Sequence, residues 1–151
     1  MSKKFDGLNG LYTLNSDVLS KPVFNKSFLK NQDEAHWLHF SVNDVKAAKW
    51  LRKYSGIDEL TAEAMLAPKV RPRIVVQEQR LLLILRVADT LTSSEYEELR
   101  SLRIYMEPGR LITCSIHPLP VVQALMEKLV AEQNQLNGLS ITSIHECTAS
   151  V

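Results

Sequence analysis

Three groupings in this sequence could hold a metal ion: His36 with His39, Cys114 with His117, and the run His145-Glu146-Cys147. Imidazole and thiolate are the ligands of zinc and of softer ions. The first two pairs fall in stretches that alternate as strands do. Residues three apart in a strand leave on opposite faces, so neither pair can chelate one ion. His145 and Cys147 remain as metal candidates, in a tail whose three consecutive ligands make a poor closed site. The expectation is weak zinc binding through surface histidine or this tail, with no buried stoichiometric site.

Other chemistry is thinner. Cys114 has no histidine or aspartate placed by sequence to activate it, which makes it a structural core thiol. With five glycines in all, no G-x-G-x-x-G or Walker loop can be drawn. Glu95, Glu97 and Glu98 fall in a loop and read as solvated carboxylates. Lys69, Arg71 and Arg73 could grip phosphate, but the strand after them supplies valine and isoleucine where a nucleic-acid face needs stacking aromatics. The pattern describes neither an enzyme nor a nucleic-acid binder, and it calls for no cofactor.

The elements that position these residues come from a chain of 151 residues, 45% apolar and 23% charged, with a net charge of +1. That is one ordinary globular domain, with no global field for nucleic acid or an anionic membrane. Met1 to Lys4 is basic, but no apolar core follows, so nothing reads as a signal peptide. Both cysteines are expected reduced, in the cytosol. The longest apolar run, Leu81 to Leu85, is far short of the roughly 20 residues that cross a bilayer.

Along the chain, "GLYTL" (10–14) reads as a short strand and residues 15–34 as a long polar loop containing Pro22. "HWLHFSV" (36–42) alternates, with Trp37, His39 and Ser41 on one face and Leu38, Phe40 and Val42 on the other. Ser41, Asn43 or Asp44 can cap the next helix, which places Val45, Ala48 and Leu51 on one face with Ala47, Trp50 and Tyr54 beside them; Gly56 stops it. A short helix over 58–67 ends at Pro68. Four strands follow: 73–78 and 80–88 as a tight hairpin, then 99–108 and 110–116 around Pro108-Gly109. The second of them is apolar on both faces, so Leu81, Leu83 and Leu85 are expected as buried as Leu82 and Ile84. A helix opening in "HPLPVV" carries Val122, Leu125, Met126, Leu129 and Val130 at helical spacing. The order implies an α/β fold, an α/β/α sandwich around a mixed sheet. Its parts are an N-terminal strand and loop (1–35), the sandwich (36–136) and a tail (137–151).

Several stretches, in order, resemble the cytoplasmic N-terminal domain of the CorA superfamily of divalent-cation transporters, and its ZntB zinc-transporter branch in particular. They are "WLHFSVND" with Trp37 and Asp44, "WLRKYSGIDELTAEAML" with Gly56 and Glu63, "RPRIVVQEQRLLLILR", and "LRSLRIYMEPGRLITCSIHPLPVVQALMEKL". Together they cover about residues 36–130. The resemblance implies an α/β/α domain that packs as a homopentameric funnel on the cytoplasmic side of the inner membrane. It also implies a following long helix, two transmembrane helices and a Gly-Met-Asn signature, none of which this sequence carries. The membrane is thus reached only through absent C-terminal helices. Magnesium-type members place a Glu-Asp pair on the short second helix, where the aspartate helps bind a regulatory ion. Here the pair is Glu63-Ala64, so the resemblance carries over Glu63 without its hard-cation partner. It points to zinc, with another divalent cation as the alternative cargo.

Pro68 and Pro72 hold the chain extended into the strand at 73, because a residue before proline leaves the α region. Arg71 and Arg73 then share a face and could meet Glu63, Glu78, an anion or a neighbouring subunit. The charged residues expected at such contacts (Glu63, Arg71, Arg73 and the 95–98 loop) predict a weak, salt-sensitive assembly of the isolated chain. A stand-alone regulator that co-assembles with full-length transporters is the second reading, and a small cytosolic α/β enzyme the third.

Overall fold

The alternation over 36–41 and two tight hairpins, one of them turning at Pro108-Gly109, build one seven-stranded sheet, ordered β2-β1-β3-β7-β6-β5-β4. The structure is a computed structural model that describes residues 10–13, 19–20, 22–26, 28, 35–88 and 99–136. In chain order the elements are β1 (Gly10–Thr13), β2 (Leu19–Ser20), β3 (His36–Ser41), α1 (Val45–Lys53), α2 (Glu59–Leu66), β4 (Arg73–Gln77), β5 (Arg80–Ala88), β6 (Leu99–Glu107), β7 (Arg110–Ser115) and α3 (Pro120–Leu136). β3 and β7 pair in parallel and every other neighbouring pair is antiparallel, so the sheet is mixed as expected.

Local chemistry sets the boundaries. Asp44 is the cap of α1, accepting from the backbone N–H of Lys46 and Ala47 at 3.0 and 3.1 Å. Asp58 caps α2, accepting from the Thr61 N–H at 3.0 Å. Each satisfies donors that the first helical turn leaves unpaired. The Thr61 hydroxyl, which also donates to the Asp58 carboxylate at 2.8 Å, and then the Thr61 N–H hold that carboxyl below its ordinary range. Gly56 takes φ +79 after α1, and Gly109 takes φ +80 in the β6–β7 turn, a conformation open to glycine at little cost. The β4–β5 turn has no glycine, and Glu78 adopts φ 51 there.

The strand parity sends two sets of side chains to opposite faces. Leu38, Phe40, Leu82, Ile84, Tyr105, Ile112 and Cys114 pack beneath α1 and α2. Trp37, Leu102, Ile104 and Leu111 pack beneath α3 with Leu119, Val122 and Met126. The sandwich is therefore α1/α2, sheet, α3.

Two expectations need correction. Val45 is 80% exposed, because α1 turns Ala47, Ala48, Trp50 and Leu51 to the core instead. On β5, Leu82 and Ile84 are buried, but Leu81, Leu83 and Leu85 are only half-buried. β5 lies next to the edge strand, where the α3 layer leaves that face partly bare. The segment read as a polar loop also contributes to the core. Phe24 and Phe28 pack edge-on against each other at 5.3 Å and both lie against Trp50, at 5.9 and 5.4 Å.

Candidate functional site

α1 and α2 present their outer faces side by side. Arg52 Nε on α1 donates to Glu63 Oε1 on α2 at 2.8 Å. Both side chains are about half exposed, at 48% and 55%, so the pair contributes at most about 1 kcal/mol. It nevertheless settles the partner of Glu63, which is neither Arg71 nor Arg73. Ala64 is half-buried and packs against the core beneath the helix. An aspartate there would be partly desolvated beside Glu63.

Arg71 and Arg73 lead into β4, exposed, and neither makes an ion pair among the described residues. Exposed large apolar side chains gather nearby: Ile74 and Val76 at 67% and Val75 at 42% on β4, with Leu60 at 85% on α2. Asp58 and Thr61 of α2 share a small cleft with Val75 and Gln77 of β4. Val75 and Gln77 of β4 thus face α2, whereas Ile74 and Val76 leave the exposed edge strand on the α3 face.

Among the described residues no group of three or more His, Cys, Asp or Glu side chains could hold a metal. His36 and His39 leave β3 on opposite faces as expected, His39 fully buried. Cys114 is fully buried while His117 is exposed. His145, Cys147 and Glu95 to Glu98 lie outside the described residues.

Sequence reasoning missed the polar groups that brace this surface from inside. Arg103 on β6 is buried, and its Nη1 donates to the Met65 carbonyl at the end of α2, at 2.8 Å. Burial holds its guanidinium below its ordinary value, and Nε has no acceptor among the described residues. Around the β6–β7 turn, Glu107 accepts from the Tyr105 hydroxyl at 2.7 Å and from Arg110 Nε at 2.6 Å. Arg110 Nη1 reaches the Ser55 carbonyl at 2.7 Å, fastening β7 to the α1–α2 corner. On the opposite face Trp37 Nε1 donates to Thr113 Oγ1 at 2.9 Å, and the same oxygen lies 2.8 Å from His39 Nδ1. The alternation over 102–106 was the available signal, since Arg103 shares a parity with Tyr105.

Arg103 gives a test of this bracing. Arg103→Ala removes a buried donor and leaves a cavity, and is expected to cost about 3 kcal/mol in urea unfolding. Arg103→Met keeps most of the volume and removes a buried charge that has no carboxylate partner, so it should lose less than half as much. Equal losses would mean that the hydrogen bond to Met65, not the filled volume, carries the effect.

The arrangement defines an α/β/α domain with an exposed edge strand and, among the described residues, no ligand cluster or helix long and apolar enough to cross a membrane. The chain belongs to the CorA-like Mg2+ transporter protein family, whose model matches residues 32–149. It is 32% identical over 100 residues to the divalent cation transporter CmaX of Pseudomonas aeruginosa, covering 66% of this chain and 30% of that protein. Among solved structures it is similar to full-length CmaX (26% identity, TM-score 0.65), covering 82% of this chain and 38% of that one. The ZntB cytoplasmic domain from Vibrio parahaemolyticus matches at 19% identity and TM-score 0.64, over 83% of this chain and 50% of that one. The soluble domain of CorA from Methanocaldococcus jannaschii matches at 16% and 0.60, over 84% and 47%. The last two are likenesses of fold. The chain thus spans half or less of the length of each of these relatives, and the family is one of transporters, not enzymes.

Proposed function

We propose that this chain is the cytosolic-side domain of a CorA-type divalent-cation transporter, one of five copies that line a funnel on the cytoplasmic side of the inner membrane, with zinc as the preferred cargo. The likeness in sequence and fold to full-length CmaX carries the transporter reading. The zinc preference rests on Ala64. A magnesium-sensing position needs an oxygen ligand for a hard cation, and here a methyl group packs inward beside a glutamate already paired with Arg52.

The test is a chimera in which residues 36–136 replace the matching part of CmaX, reconstituted in vesicles with an ion-sensitive dye inside. The expected result is a pentamer that passes divalent cation and stays open when magnesium is raised on the domain side. Ala64→Asp should restore closure. A chimera that folds and assembles but passes no divalent ion would overturn the transporter reading. Closure by magnesium with Ala64 in place would overturn the zinc preference alone.

A further inference from the structure

We draw no further inference here: the strongest candidate, the partly bare apolar face of β4 and β5 formed by Ile74, Val76, Leu81, Leu83 and Leu85 beside the cleft under α3, is an unpartnered sheet face, and nothing in the structure shows what covers it.

Discussion

Trp50→Ala should lower stability by about 3–5 kcal/mol, enough to bring a domain of this size near its unfolding threshold. Trp50 is 1% exposed on α1. Phe24 and Phe28 lie against one side of it, and Phe24 also meets Phe40 of β3 edge-on at 5.9 Å. One indole therefore joins the N-terminal segment, the first helix and the sheet. Its Nε1 has no acceptor among the described residues, so shape accounts for its contribution. Trp50→Phe should accordingly cost only about 1–2 kcal/mol, the cavity alone. Urea unfolding followed by the fluorescence of Trp37 gives both values. Chymotrypsin should also cut at Phe24 and Phe28 faster in the alanine variant. A loss below about 1 kcal/mol for Trp50→Ala would show that the N-terminal aromatics do not depend on it.

Raising the pH above 9 should steadily destabilise the protein. Burial pushes the Cys114 thiol from 9.0 up to about 12, with Arg103 opposing it only in part. Burial, and then the hydrogen bond to Glu107, raise the Tyr105 phenol well above its ordinary value of 10.0. Both groups stay protonated in the folded chain while the unfolded chain releases their protons. The unfolded state is then favoured as pH rises. Stability is full below pH 9 and falls by about 1.4 kcal/mol per pH unit once the unfolded thiol ionises. The slope doubles above pH 10, where the unfolded phenol joins, and the loss reaches about 4 kcal/mol by pH 11. Urea midpoints between pH 8 and 11 report it. Cys114→Ser should flatten the first part of the fall and Tyr105→Phe the second. A midpoint that stays level from pH 9 to 11 in the parent would sink the argument.

Periodicity carried the elements because it is a local property. The strand boundaries over 73–116 and the cap Asp44 follow from residues within a few positions of each other. Reading which side of each element is covered requires the whole fold. Val45 fits an apolar helical face as well as Ala47 does, and only the placement of the sheet exposes it. Leu81, Leu83 and Leu85 look as buried as Leu82 and Ile84 until the reach of α3 is known. The outer surface of α2 and β4 was half legible. Arg71 and Arg73 were singled out, but Glu63 has Arg52, Lys53, Lys69, Arg71 and Arg73 within eleven positions, and its choice of Arg52 depends on how α1 and α2 cross. Arg103 was hidden for the opposite reason. A charged residue in a strand is ordinarily assigned to solvent, and its acceptor is a carbonyl 38 residues away.

The parallel seam between β3 and β7 bears on how the chain is made. The register runs from His36↔Arg110 to Ser41↔Ser115, and the Trp37–Thr113 hydrogen bond spans 76 residues. β4 to β7 can assemble as successive hairpins from neighbouring sequence, whereas β3, with β1 and β2 paired beyond it, cannot join that part of the sheet until β7 exists. At about 5–20 residues per second on a ribosome, β3 waits roughly 4–15 s for its neighbour. During that interval Trp37 lacks the α3 layer that covers it, while α1 can already pack over Leu38 and Phe40. Closing so long a loop also costs entropy before any contact forms. The newborn N-terminal third is thus the part of this protein that a chaperone would meet.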